Sequence, residues 1–257
     1  MIYNCLSNLL TVDTLDSVST EHAVFVKENL YNQRQSKPFR WTAKVNNEIK
    51  INLGGAAIPV TIIGLMNHNL TDTAIVTIRA AAADQGNLAA WQAGFAYEKV
   101  MTWNEISMFE ALTQTFQWWH IEVDDAGNSV IPQIGEFVIG AHSQFTMNYR
   151  WPFTEGEKGI LTENVTKYKQ RHRGNIAKHR VFRLNFDAVT DANLVSEVEA
   201  FFDAHNGDTP FLFVPETTEA NCWFVFCLND FDAARNFEDL NAFTLDLEEQ
   251  TRGVTLL

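Results

Sequence analysis

The sequence predicts a mainly β protein. It reads as an N-terminal β-sandwich of the jelly-roll kind, followed by a second β-sandwich or barrel that carries one amphipathic α-helix. Three observations predict this. Short stretches alternate apolar and polar residues with a period of two, the mark of a half-buried strand. Turn-forming clusters separate them. One stretch switches to helical spacing: Leu194, Val198, Phe201 and Phe202 fall at i, i+4, i+7 and i+8, one face of a helix expected over about 191–206.

Taken in order, residues 1–30 mix short apolar groups with acids; Leu9, Leu10, Val12 and Leu15 are a first strand or an irregular wrap. Asn32 to Pro38 is a polar loop. Phe39, Trp41 and Ala43 alternate with Arg40, Thr42 and Lys44, and Ile49, Ile51 and Leu53 alternate with Glu48, Lys50 and Asn52, giving two strands. Gly54 and Gly55 end the second. Val60 to Met66 is continuously apolar, as for a strand covered on both faces. After the turn NHNLTD, Ala74 to Ala80 alternates again. Ala81 to Ala111 lacks a period and reads as a long loop with short elements. In Phe116 to Val123, Trp119, Ile121 and Val123 share one face, and Trp118, His120 and Glu122 the other. DDAGN is a turn, and Ile134 to Gly140 is a further strand.

Residues 146–176 hold Pro152, Gly156, Gly159 and Gly174 with little periodicity and are the expected connection between an N-terminal domain, 1–145, and a C-terminal one, 177–257. VFRLNF (Val181 to Phe186) is a strand. Thr190 or Asp191 can cap the helix that follows, and Gly207 closes it. The run between Pro210 and Pro215 (PFLFVP) reads as a strand near a sheet edge. Trp223 to Leu228 and Phe243 to Leu247 are the last strands.

The chain has 257 residues, 46% hydrophobic and 20% charged, so it is globular. Its formal net charge of -13 argues against a general nucleic-acid-binding surface. Three cysteines, Cys5, Cys222 and Cys227, match no zinc spacing and read as buried thiols. No signal peptide is visible, and no stretch of 18 apolar residues suggests a membrane span. No nucleophile-elbow, P-loop or zincin motif is present, so no catalytic residue, cofactor or metal site is expected.

Several groups can nonetheless carry function. Trp118 and His120 point away from the core face; the indole can stack on a sugar or anchor an interface, or lie buried under a second domain or the Ala81–Ala111 loop. Asn67 and His68, with Asn69, can meet a sugar or serve only as a turn. Asp124, Asp125 and Asn128 can offer oxygens to calcium, but the spacing is that of a β-turn rather than an EF-hand. Lys167, Lys169, Arg171, Arg173, Lys178, Arg180 and Arg183 form a basic run with no acid among them. It can dock on an acidic neighbouring subunit, face solvent, or hold nucleic acid. Phe211 and Phe213, on the expected edge strand, join Lys167, Lys169, Arg171 and Arg173 as candidate subunit-interface residues.

Two resemblances follow from these patterns. WTAKVNNEIKINLGG, VTIIGLMNHNLTDTAIVTIRA and FQWWHIEVDDAGNSVIPQIGEFVIG, over about residues 35–142, resemble the discoidin or galactose-binding-like jelly roll, variants of which occur in structural proteins of tailed bacteriophages. KYKQRHRG, VFRLNF, the helix, PFLFVP and FTLDLEEQTRG, over about 165–257, resemble the tube-like domain of distal-tail or minor-tail proteins. The resemblance implies a non-enzymatic tail component, a distal tail, tail tip or baseplate protein that links tail tube to tip proteins. It would be made in the host cytoplasm and assemble with itself into a six-fold or three-fold ring beside other tail proteins, with DNA only as passing cargo. The alternative is a carbohydrate-binding module that attaches to host-surface glycans through Trp118, His120, Asn67 and His68.

Overall fold

The computed structural model describes residues 3–5, 8–54, 58–105, 107–146, 148–150, 153–165, 171–205, 209–215, 221–237 and 239–250. The chain divides into two compact units. One is a sandwich built from residues 2–143 together with 212–223; the other, the hairpin unit, is built from 144–211 and 224–257.

The sandwich unit holds β1 (Tyr3–Cys5), β2 (Leu15–Val18), β3 (Phe39–Arg40), β4 (Asn47–Asn52), β5 (Pro59–Met66) and β6 (Ile75–Ala81). Helix α1 (Leu88–Ala93) follows, then β7 (Tyr97–Val100), β8 (Ser107–Thr115), β9 (Trp118–Asp124), β10 (Gln133–Ile134), β11 (Glu136–Gly140) and β12 (His142–Ser143). A five-stranded antiparallel sheet runs β2-β4-β9-β6-β7 and a three-stranded one runs β11-β5-β8. The inward residues set by alternation, Ile49 and Ile51 on β4, Ile78 on β6, and Trp119 and Ile121 on β9, are wholly buried with Phe39, Trp41 and Phe137. Each such side chain contributes about 1.5–3 kcal/mol of transfer free energy.

β5 is buried on both faces as its apolar run predicts. Leu212 contributes to the second cover: a Cβ added to Gly64 would lie 3.2 Å from its side chain. The Ala81–Ala111 stretch is more regular than its sequence suggests, since it contains α1, β7 and the start of β8. Asn87 caps α1 by accepting the Ala90 N–H at 3.0 Å.

The hairpin unit contains β13 (Thr154–Val165), β14 (Arg171–Thr190), helix α2 (191–204), and the last strands β15 (Phe211–Val214), β16 (Trp223–Cys227), β17 (Ala233–Phe237) and β18 (Leu240–Glu249). The last three residues of β15 belong to the sandwich unit, where Phe213 and Val214 pair with β1. All four residues of β15 are buried, with Phe211 2% and Phe213 0% exposed. The expectation of an exposed edge strand with Phe211 and Phe213 at an interface is therefore corrected: an apolar run of this kind also fits a strand covered on both faces. The expected connection over 146–176 contains β13 and the start of β14; two glycines there, Gly156 and Gly159, sit within a strand.

Phe182, Leu184 and Phe186 of β14 face Leu247, Leu245 and Phe243 of β18 in register. The Phe186 and Phe243 rings stack at 4.4 Å, and Phe145 meets Phe186, Phe201 and Phe243 edge-on. Helix α2 starts where Thr190 Oγ1 accepts the Asn193 N–H at 3.3 Å and buries Val198, Phe201 and Phe202. Its turn Leu194–Glu199 is a π-helix. Gly207 lies outside the described residues.

Candidate functional site

The structure separates the four residues expected to meet a sugar. Trp118 pairs with Asn52 and Ala81, whereas Asp124, at the other end of β9, pairs with Ile75 beside the 67–74 turn. Six residues of strand span about 20 Å, so Trp118 and the Asn67–His68 turn lie at opposite ends of the sandwich. Asn67 adopts a left-handed φ of 50° and donates its amide to the Gln35 carbonyl at 2.8 Å. His68 is buried to 7%, with its Nδ1 accepting the Leu70 N–H. Asn69 is bonded to Ile131 and Gln133, and Asp125 accepts from Thr71 and Asn128. These side chains are spent on closing the turns. Among the described residues no group of three or more His, Cys, Asp or Glu is placed to hold a metal.

His120 is completely buried, so of the two readings of this face the structure has burial under the Ala81–Ala111 stretch, and the candidate role of His120 in meeting a sugar is corrected. Helix α1 covers its face, and Trp91 stacks on its ring at 5.1 Å and 10°. Its Nε2 lies 2.9 Å from Glu48 Oε2, which puts a proton on Nε2 to donate to the carboxylate. Burial lowers the His120 pKa, against the opposing pull of Glu48. Beside it, Arg79 pairs with Glu98 at 2.7 Å and with Glu122, whose other oxygen accepts from Gln92 at 2.8 Å. Polar groups on this outer sheet face are dry because α1 lies over them. Trp118 stays half-buried, with the Asn52 amide opposite and Gln117 Nε2 bonded to Asn52 Oδ1 at 3.1 Å.

The polar surface of the hairpin unit is organised around the basic run. Lys167 and Lys169 lie outside the described residues. Arg171 and Arg173 are on β14, opposite Val165 and Glu163 of β13. Lys178, Arg180 and Arg183 pair with Glu157, Glu155 and Asp246. Lys158 reaches Glu248 at 3.1 Å. The described cations of the run are thus met by acids of neighbouring strands: Lys178 and Arg180 by Glu157 and Glu155 of β13, and Arg183 by Asp246 of β18. The acids were legible in TEGEKG and LDLEE, but only the register shows that they flank the cations.

Beside this face lie two cavities. One, of about 360 Å³, is lined by Gly156, Val181, Leu228 and Leu247 among others. The other, of about 460 Å³, is lined by Arg150, Asp187, Asp230, Asp232 and the amides of Asn185 and Asn229. Asn229 bridges them: its amide donates to the Thr244 carbonyl at 2.7 Å and accepts the Asp246 N–H at 2.8 Å, continuing the ladder between β16 and β17.

Among the described residues, the part of β14 before Val181 pairs with β13 alone. The β13–β14 ladder continues from Glu157 opposite Arg180 to Val165 opposite Arg171, about 27 Å at strand rise, while the pairing with β18 stops at Val181 opposite Glu248.

No protein-family model matches the chain, and no curated protein matches it. Solved structures give partial likenesses at low identity. Chitosan-binding module 1 from a Paenibacillus chitosanase/glucanase is 13% identical, with a TM-score of 0.41 over 52% of this chain and 99% of the module. A CBM32 module produced by Clostridium perfringens is 13% identical, with a TM-score of 0.37 over 52% of this chain and 98% of the module. A Ruminococcus gnavus GH29 fucosidase is 13% identical, with a TM-score of 0.43 over 54% of this chain and 27% of that chain.

Proposed function

We propose that this chain is a non-catalytic structural protein that works by assembling, as a component of a bacteriophage tail, with the hairpin unit making the contacts and the sandwich displayed. The observation that carries the reading is the β13–β14 arm. Among the described residues β13 pairs on one side only, and a long edge strand invites pairing. An arm of this length that ends in cations, on a chain of net charge -13, suits docking better than catalysis. Sedimentation and negative-stain imaging of the full chain, alone and mixed with the tail-tube protein of the same virus, test it. Closed oligomers or incorporation into a tube end support assembly; a chain that stays monomeric in both overturns it.

A second reading, glycan attachment by the sandwich, is favoured by Trp118. Its partly open indole stands beside the Asn52 and Gln117 amides, and an aromatic face flanked by amides is chemistry that suits a sugar ring. A glycan array with the full chain and with Trp118→Ala tests it: selective binding that the substitution removes supports attachment, and no binding removes it.

A further inference from the structure

We infer that the outward face of the β14–β18 pair is a docking groove for an extended segment of a partner protein, one that carries a large apolar side chain at one end and basic side chains toward the other. This rests on the assembly reading and names a contact and its chemistry.

The two cavities beside this face are parts of one groove. Asn229 lines both, and they follow one another along the same strand: Val181 and Arg183 line the first, Asn185 and Asp187 the second. From Val181 to Asp187 a strand advances about 20 Å, the reach of six extended residues. The segment 228–232 borders the groove along β18. The Leu228 N–H donates to the Asp246 carbonyl at 2.8 Å, and the Asn229 amide holds Thr244 and Asp246. Asn229 is therefore committed to the wall, which is in place before anything binds.

The two parts differ in chemistry, and the difference names the occupant. Val181, Leu228 and Leu247 make the first part apolar, and Gly156 adds no side chain to narrow it. Leu228 is 57% exposed, so its side chain is open to a partner. The second part carries the carboxylates of Asp187, Asp230 and Asp232 against one guanidinium, that of Arg150. Arg150 meets Asp187 only at 3.5 Å, and both groups are more than half exposed. Among the described residues no three acids are placed to hold one metal ion. The negative charge is spread along the groove, which suits several separated cations better than a single point charge. An extended chain brings side chains to one face about every 7 Å. Lysines or arginines at alternate positions can thus follow the carboxylates while an apolar residue fills the first part. Asn185, whose Oδ1 accepts the Thr244 hydroxyl at 3.0 Å, keeps its amide N–H groups for a carbonyl of the segment.

Two end-capped, fluorescein-labelled peptides are the probes: Leu-Ser-Gly-Ser-Lys-Ser-Lys and its reverse, Lys-Ser-Lys-Ser-Gly-Ser-Leu. Titrated with the full chain at low salt and read by anisotropy, one of them should bind, and added salt should weaken it. Counterparts with Glu for Lys, or with Ser for Leu, should bind at least about tenfold more weakly. Asp230→Asn combined with Asp232→Asn, and separately Leu228→Ser, should each weaken the probe by about tenfold. All three residues are exposed, so thermal midpoints should stay near wild type. No binding of either probe, equal binding of the Glu peptides, or an affinity that neither variant changes overturns the groove. A chain ending at Gln250 that binds the probes where the full chain does not also overturns it, by putting residues 251–257 in place of a partner. Assembly that survives both variants strikes out this contact and leaves the assembly reading standing. Peptide binding by a chain that never assembles supports the groove while the assembly reading fails.

Discussion

Trp91 lies flat on His120, ring over ring at 5.1 Å, and so makes α1 the cover of the β9 outer face. Trp91 Nε1 also donates to Asp84 Oδ1 at 3.2 Å, which ties the loop before the helix to the same ring. Removing it opens the face to water. Trp91→Ala should destabilise the sandwich by about 3–5 kcal/mol, read by denaturant unfolding. It should also let the His120 pKa rise toward its ordinary value, because burial is the main cause of the depression. Imidazole proton shifts followed by NMR against pH check the second part, and an unchanged titration would show that α1 is not the cover.

Glu136 sits at the start of β11 with no exposed surface. Burial pushes its carboxyl up to about 9, against the opposing pull of the Gln33 and Arg34 backbone N–H groups. The folded state therefore holds a proton that the unfolded chain releases above pH 4.5. The group's full contribution is present below pH 4.5 and is lost as pH rises toward 9. At pH 7 the loss is about 3 kcal/mol on the scale of 1.36 kcal/mol per pH unit. Glu136→Gln keeps the shape and removes the titration. Its unfolding midpoint should stay flat between pH 7 and 9 where the wild type declines, and parallel declines would refute the assignment.

How much of this was legible follows from what each residue type announces. The strands β4, β5, β6, β9 and the VFRLNF part of β14 announce themselves because one face alternates or both are apolar, and the inward residues are buried as that pattern predicts. Helix α2 announces itself through Thr190 and the Val198, Phe201 and Phe202 face. What the alternation cannot say is whether the outward face meets water. His120 and Glu122 sit on the outward face, for which the sequence left open both a ligand and burial under the Ala81–Ala111 stretch, and α1, a six-residue helix in that stretch, decides for burial. The basic run failed in the same way: its acids lie on other strands, and register is not written locally.

His205 ends α2 among Phe201 and Phe211, whose ring centroids lie 5.0 and 4.5 Å away. Burial drives its pKa down to about 4, against the pull of Thr209. Here the unfolded chain binds the extra proton. Stability from this group is full above pH 6.5 and falls as pH drops toward 4, by about 3 kcal/mol in all. His205→Phe removes the rise that offsets the Glu136 decline between pH 4.5 and 6.5, so the variant's stability should fall with rising pH over that range where the wild type's is level, while the decline from pH 7 to 9, set by Glu136, is unchanged. A profile as level as that of the wild type between pH 4.5 and 6.5 would place the responsible group elsewhere.

Two ion pairs of similar appearance should respond very differently to loss of the acid. Glu122 is buried to 5% and Arg79 to 7%, and the carboxylate of Glu122 is shared between Arg79 and Gln92. Glu122→Ala leaves a guanidinium in a dry site with only the half-exposed Glu98 to meet it, so unfolding stability should fall by about 3–5 kcal/mol. Replacing both partners, Arg79→Met with Glu122→Leu, should recover most of that loss, since much of it is the cost of an uncompensated buried charge. Arg183 and Asp246 share two hydrogen bonds at 2.6 and 2.8 Å, but the arginine is 61% exposed and water screens the pair. Asp246→Asn should leave the midpoint close to wild type. Measured side by side in urea, a larger effect at Asp246 than at Glu122 would mean that bond geometry outweighs burial in this protein, against the ranking drawn here from exposure.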